Sequence, residues 1–181
     1  ADHRLEGLSA ADVYLSPLGP ATDIAAERLW ASLSACGEEA CDLPVKGRLL
    51  HVPRAAGRRA RFTFSELCDQ PLGAVDYRTI ARHFELVMVT GVPRIAADER
   101  NRAKRFITLV DVLYDAGCAR VLAAVGGRAD LYRAPDGTEA FEFARTASRL
   151  VEMRTEAWLR RAASRPPKAT KKGITLTSPT S

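Results

Sequence analysis

Apolar and polar positions follow their clearest pattern between residues 85 and 125. Apolar runs predict buried strands at residues 85–90 and 118–125. Residues 97–117 place apolar side chains at helical spacing and end in Gly117, which favours a helix stop. The predicted apolar stripe of this helix consists of Phe106, Leu109, Val110, Leu113 and Tyr114. A strand, a long helix and a second strand predict a βαβ unit with two parallel strands.

The first of these strands ends in Thr90, Gly91 and Pro93. Ligands of open α/β sheets gather beyond the carboxyl ends of strands, where an ATPase often places acidic residues that hold a metal. Because threonine and glycine offer no carboxylate, we expect this strand end to be scaffold. The Gly126–Gly127 pair after the second strand is more typical of a turn than of a phosphate-binding loop.

Shorter patterns predict the elements of the first half. A strand candidate at residues 12–19 precedes a helix at residues 20–33, for which Thr22 or Asp23 is placed to cap. A loop is expected at residues 34–47. The side chains expected to face the core from this helix are Ile24, Leu29, Trp30 and Leu33.

Two β-like runs, at residues 48–53 and 59–64, predict a hairpin with one buried face. A short helix capped by Ser65 and a helix at residues 74–84 follow. A final helix is expected at residues 140–162. The side chains expected to face inward from the last two helices are Tyr77, Ile80, Ala81, Phe143, Ala147, Leu150, Val151 and Trp158.

The charge balance limits the classes of partner. The 181 residues include 27 Lys and Arg against 22 Asp and Glu, which gives a net charge of +5. The excess is scattered apart from residues 54–61 and the basic stretch at 160–172, so it indicates a solvated surface rather than a nucleic-acid interface. We therefore expect no nucleic-acid partner.

No apolar run reaches the ~20 residues that span a bilayer, and the amino end has no secretory signal. We expect a cytoplasmic protein that is at most peripherally bound to a membrane. Residues 1–163 are predicted to form one folded portion. Residues 164–181, rich in Pro, Lys, Thr and Ser, are predicted to be a disordered tail.

The cysteine spacing argues against a metal site. Cys36 and Cys41 have four residues between them, whereas zinc sites use closer pairs together with a second pair or two histidines. We expect reduced thiols and no bound metal.

The candidate chemistry lies in two arginines. No GxxxxGK(S/T) phosphate loop, GxSxG elbow or Cys–His arrangement occurs in the chain, so the sequence by itself does not predict a self-sufficient enzyme. Arg145 and Arg149 are four residues apart and share one helix face, where two guanidinium groups suit a phosphate or a carboxylate. The alternative is a pair of surface arginines bonded to Glu142 and Glu152.

Three blocks of the sequence resemble a known family. HVPRAAGRRARFTFSELCDQPLGAVDY, RNRAKRFITLVDVLYDAG and FEFARTASRLVEM are similar, in this order, to the carboxyl-terminal half of the ZapE family. The resemblance extends from about residue 2 to residue 153. These proteins are AAA+ P-loop ATPases of bacteria, with mitochondrial relatives called lactation-elevated proteins. The implied fold is α/β, a partly parallel sheet with flanking helices and a β-hairpin, as the carboxyl-terminal portion of a P-loop NTPase.

The resemblance also implies function. The family's Walker A and B segments lie upstream of this region, so we expect the chain to begin after them. ATP and Mg²⁺ are implied for the complete protein, and no cofactor is expected for this chain alone. Self-association through the ATPase module and, in bacteria, an FtsZ-like division partner are implied as well.

Resemblance favours Arg145 and Arg149 as residues that contact nucleotide phosphate or a neighbouring subunit. Arg105 is a weaker candidate of the same kind. Many relatives carry acidic residues where this chain has Thr90 and Gly91, and many have a proline pair near 126–128, so both strand ends depart from the family pattern.

Two hypotheses remain. In the first, the chain is the carboxyl-terminal part of an ATPase that remodels a protein partner such as the division ring. In the second, it is a stand-alone, non-catalytic interaction module that kept the scaffold and lost the motor. The isolated chain is expected to have no ATPase activity under either hypothesis.

Overall fold

The computed structural model describes residues 13–127, 131–132 and 138–164. The strands are β1 (Tyr14–Leu15), β2 (Cys41–Val45), β3 (Arg48–Val52), β4 (Arg54–Ala56), β5 (Arg59–Thr63), β6 (Leu86–Val92) and β7 (Ala119–Ala124). The helices are α1 (Pro20–Leu33), α2 (Phe64–Cys68), α3 (Ala74–His83), α4 (Arg100–Ala116), α5 (Thr138–Glu152) and α6 (Glu156–Ser164).

A mostly parallel sheet forms the centre of the fold, with strand order β1-β7-β6-β5-β4. β5, β6, β7 and β1 run parallel, and β4 pairs antiparallel with β5 at one edge. The predicted βαβ unit is confirmed, since β6 and β7 are parallel neighbours connected by α4. The predicted α/β class with a partly parallel sheet and flanking helices is therefore confirmed.

Helices cover both faces of this sheet. On one face α3, α4 and α5 pack against the sheet in a core that includes Phe62, Val89, Phe106, Leu122 and Phe143. On the other face α1 and α6 enclose a smaller core. Its members are Val13, Ala26, Trp30, Leu33, Ala56, Leu86, Met88, Ala119, Val121, Leu159 and Ala162. A sheet buried on both faces explains why β6 and β7 are mostly apolar runs.

The predicted hairpin is wrong in its pairing. β3 pairs with β2, which lies in the expected loop, and the two form a separate antiparallel sheet. Lys46 and Gly47 connect them with φ of 42° and 84°, the left-handed conformations that a tight two-residue hairpin turn requires. β5 pairs instead with β4 and β6, so both of its faces are buried and the expected single buried face is wrong as well.

Helix starts differ from two predicted caps. The N-cap of α1 is Gly19 without a side-chain cap, because the Thr22 hydroxyl donates to the Pro17 carbonyl instead. α2 is capped by Thr63 rather than Ser65, in a capping box that Glu66 completes. The predicted stop at Gly117 is confirmed, with φ of 69° at the end of α4.

The predicted final helix is two helices. α5 ends at Glu152 and α6 begins at Glu156, where the Thr155 hydroxyl accepts a hydrogen bond from the Trp158 amide. Ile24 and Val151, both predicted to face inward, are 54% and 49% exposed. The other positions predicted to face inward from these helices are buried or half-buried. The predicted tail stays a prediction, because residues 165–181 lie outside the described residues.

Candidate functional site

Arg145 and Arg149 of α5 meet at one carboxylate of the neighbouring helix. Arg145 Nη2 lies 3.3 Å from Asp111 Oδ2, and Arg149 Nη1 lies 2.5 Å from Asp111 Oδ1. The helical spacing of four residues puts both guanidinium groups over the same turn of α4. The alternative partners expected from the sequence, Glu142 and Glu152, are not the acceptors that these two bonds use.

Aromatic contacts position Arg149 further. Its guanidinium carbon lies 4.7 Å from the ring centroid of Tyr114, a cation–π contact. The Tyr114 hydroxyl donates to Glu152 Oε1 at 2.8 Å, and this hydrogen bond raises the pKa of Tyr114. Arg149 is therefore held by Asp111 on one side and by an aromatic ring on the other.

The two arginines differ in exposure. The Arg145 side chain is 51% exposed, whereas those of Arg149 and Asp111 are 24% and 23% exposed. Both guanidinium groups share the Asp111 carboxylate, and Arg145 is the more accessible of the two.

A buried arginine of the sheet anchors the helix that carries the pair. Arg120 of β7 is 1% exposed and donates to the carbonyls of Val13 at 2.6 Å and Leu150 at 2.5 Å. Leu150 lies in the last turn of α5, where the helix dipole is negative and favours a cation. Phe143, stacked on Phe106 with centroids 6.2 Å apart, holds the middle of α5. These contacts attach α5, which carries Arg145 and Arg149, to the sheet and to α4.

Arg105 does not join this group. It lies on α4 and donates to the Cys68 carbonyl at 3.4 Å, at the end of α2. Its neighbour Arg102 binds Asp69 through two bonds of 2.9 and 2.8 Å, which hold the pKa of the Asp69 carboxyl below its usual value. This part of α4 connects to α2.

The end of β6 contains a bulge instead of a ligand set. The register of β6 against β7 shifts between Val89 and Val92, and Gly91 adopts a φ of 70°, a conformation that favours glycine. Thr90 and Gly91 line a pocket of about 410 Å³ together with Arg61 and Glu27. In the part of the chain that the structure describes, no group of three His, Cys, Asp or Glu side chains is arranged to hold a metal ion.

The four cysteines are free thiols. Cys36 is exposed and Cys41 is half-buried, while Cys68 and Cys118 lie in the core. Burial raises the pKa of Cys68 to about 12, so its thiol stays protonated near neutral pH.

The sequence interpretation missed the arginines inside the sheet. Arg59 and Arg61, noted only as part of the basic cluster at residues 54–61, are 6% and 8% exposed, and Arg120 was not singled out within its apolar strand. The available signal was the alternation of arginine with Ala60 and Phe62 in β5. It showed that these arginines share one face of the strand, but it did not show that α1 covers this face.

Comparison with known proteins places this fold among ATPases. The sequence profile of the AFG1-like ATPase family matches residues 1–162. The chain is 33% identical over 162 residues to the cell division protein ZapE of Escherichia coli. This alignment covers 88% of the present chain and 42% of the relative. It is 34% identical over 148 residues to the lactation elevated protein 1 homolog B of Danio rerio, covering 64% of this chain and 29% of that protein.

The chain therefore belongs to the AFG1-like ATPase family. It spans less than half the length of the curated relatives that it matches. No solved structure matches the chain. Across the described ranges, no helix is both long and apolar enough to cross a membrane.

Proposed function

We propose that the chain is the carboxyl-terminal part of an ATPase that couples ATP hydrolysis to remodelling of a protein partner. In this proposal Arg145 and Arg149 contact a nucleotide phosphate or a neighbouring subunit. The observation that carries the proposal is their arrangement around Asp111, because two guanidinium groups share one carboxylate and the more exposed one is half open to solvent. An anionic group supplied from outside the chain would pair with the exposed part of Arg145.

The rigidity of the site supports the same proposal. Arg149 is fixed between Asp111 and Tyr114, and α5 is tied to the sheet through Arg120. A guanidinium that is held in place loses little side-chain freedom when it binds, so more of the interaction energy is retained.

The described residues do not by themselves fit Mg-ATP. The chain has no GxxxxGK(S/T) motif, and the described part has no acidic cluster of the kind that holds a metal. In the proposal, ATP and Mg²⁺ are held mainly by Walker segments upstream of this chain. The chain contributes two guanidinium groups, which bind and orient.

The partner part of the proposal rests on the named relative. The Escherichia coli relative is a cell division protein, and we propose an FtsZ-like division protein as the partner in a bacterial cell. The protein would then act as a cytoplasmic self-associated ATPase. Neither nucleic acid nor a membrane span is part of this proposal.

The test uses the complete protein with Arg145→Gln and Arg149→Gln, separately and together. We expect ATP turnover to fall at least about tenfold, or the oligomer to dissociate, because a positioned cation that meets developing or bound negative charge is lost. Arg78→Gln, at an exposed arginine of α3, is the matched control and should change neither quantity. Unchanged ATP turnover and unchanged oligomer size in the double variant would contradict the proposal and show that both residues are surface arginines without this function.

A non-catalytic interaction module remains the second hypothesis. The upstream reading frame separates the two, because a coding sequence without a phosphate loop before residue 1 excludes the ATPase for this protein. The 181-residue chain alone is expected to have no ATPase activity and no rise in melting temperature with Mg-ATP. A rise of several degrees would contradict this expectation.

A further inference from the structure

A second polar site lies at the carboxyl edge of the parallel sheet, under the first half of α1. The pocket of about 410 Å³ is formed where β5, β6 and β7 meet α1. Its polar lining consists of Gly19, Asp23, Glu27, Arg61, Thr90 and Gly91. None of these residues belongs to the group around Asp111.

Arg61 is the central residue of this pocket. Its side chain is only 10% exposed, and Arg61 Nη2 forms an ion pair with Glu27. Arg61 Nη1 is buried, and no acceptor among the described residues reaches it. A buried donor without an acceptor is costly, so an acceptor that enters the pocket gains more here than it does at an exposed arginine.

The start of α1 adds the positive end of a helix dipole to the pocket. Gly19 is the N-cap and contributes no side-chain cap, and Pro20 at the first helical position has no amide hydrogen. The Thr22 hydroxyl is occupied by the Pro17 carbonyl, so it does not cap the helix either. The positive end of the helix dipole is therefore directed at the side of the pocket that Gly19 lines.

Thr90 and Gly91 complete the opposite wall. The Thr90 side chain is half-buried and supplies a hydroxyl, and the bulge at Gly91 turns the backbone out of the sheet. Many relatives carry acidic residues where this chain has Thr90 and Gly91. Because this strand end has no carboxylate, this wall of the pocket does not repel an anion.

We propose that this pocket binds one small oxyanion, a phosphate or carboxylate group, with Arg61 as its principal ligand. Glu27 competes with the anion for Arg61, and Asp23 adds a second negative charge at the rim. The pocket therefore favours a singly charged group over a dianion. Because Glu27 occupies Arg61 Nη2, an anion reaches that nitrogen when the Glu27 side chain, which is 58% exposed, moves outward.

The test titrates the 181-residue chain with inorganic phosphate and, separately, with acetate, and follows backbone amide shifts by NMR. Shifts are expected at Gly19, Ala21 and Gly91. Arg61→Met should weaken binding at least tenfold, whereas Glu27→Gln should tighten it several-fold because Arg61 loses its internal competitor. Asp42→Asn is the matched control, since Asp42 is about as exposed as Glu27, pairs with His51 on the separate β2-β3 sheet and should leave the affinity unchanged.

The two probes distinguish the source of the anion. Preference for phosphate assigns the pocket to a phosphoryl group, and preference for acetate assigns it to a carboxylate. Circular dichroism checks that Arg61→Met is folded, and Glu27→Gln decides the question if it is not. The proposal is overturned if neither probe shifts these amides at millimolar concentration, or if Glu27→Gln leaves the affinity unchanged.

Arg145 and Arg149 provide an internal comparison. Arg145→Gln with Arg149→Gln should leave phosphate binding at this pocket intact, because the two sites share no lining residue. Loss of binding in that double variant would contradict the proposal and assign the anion to the α5 site.

Discussion

The arginines of the sheet and the arginines of α5 differ in their solvent exposure and in their hydrogen-bond partners. Arg59, Arg61 and Arg120 are nearly inaccessible to solvent, whereas the Arg145 side chain is half exposed and that of Arg149 about a quarter exposed. Arg59 and Arg120 donate to backbone carbonyls at helix ends, and Arg61 pairs with the Glu27 carboxylate. The two arginines of α5 share the Asp111 carboxylate.

The geometry explains why buried arginine is tolerated in this sheet. Arg59 donates to the carbonyl of Leu33, the last residue of α1, at 2.9 Å, and Arg120 donates to Leu150 in the last turn of α5. Helix carboxyl ends carry unpaired carbonyls and a negative dipole, so each guanidinium attaches one helix end to a strand. Arg59 and Arg120 are therefore structural, whereas the arginines of α5 are accessible to a partner.

The largest expected effect separates these two roles directly. Arg120→Met should lower the free energy of unfolding by about 3 kcal/mol, because the carbonyls of Val13 and Leu150 lose a charged donor while they remain buried. Urea denaturation measures the change. Arg145→Met is the control and should stay within about 0.5 kcal/mol of the parent. Equal losses in the two variants would remove the distinction between structural and accessible arginine.

An intermediate effect is expected at Arg149. Arg149→Met should cost about 1 kcal/mol, because it removes a half-buried ion pair to Asp111 and the contact with Tyr114. A double-mutant cycle with Asp111→Asn measures the ion-pair part. A coupling energy near zero would mean that the shared carboxylate does not hold Arg149 in solution.

The smallest effect concerns the carboxylate that faces a buried arginine. The hydrogen bond from Arg61 lowers the pKa of Glu27, so the folded state binds fewer protons than the unfolded state. This contribution to stability is present above about pH 4.5 and is lost as the pH falls through the lowered pKa.

Glu27→Gln should therefore flatten the stability profile on the acid side, by less than about 1 kcal/mol because the Glu27 side chain is largely exposed. Urea denaturation at pH 7, 5, 4 and 3 measures this difference. An unchanged slope between pH 5 and 3 would show that the pair with Arg61 is not formed in solution.

Much of the sheet could be predicted from the sequence. β6, α4 and β7 follow from two apolar runs, one amphipathic stripe and the stop at Gly117, since these local signals agree with the final fold. The bounds of α1 were predicted for the same reason. The pairing of β3 was not, because short β-like runs specify that strands exist but not which partner they take.

For the candidate sites as well, local sequence predicted some features and not others. The helical spacing of Arg145 and Arg149 placed them on one face, but Asp111 lies on another helix and could not be identified from local sequence. Arg61 was noted only as part of the basic cluster at residues 54–61, because its dry environment and its partner Glu27 depend on the position of α1.

The sequence by itself determined the α/β class, the βαβ unit and the resemblance to an ATPase family, because periodicity and contiguous motifs are properties of the linear chain. Tertiary structure alone decided the partners of the arginines and the choice of β2 rather than β5 as the partner of β3. Each of these depends on contacts between segments that are distant or competing, and the free energy of such contacts exists only when the segments have packed together.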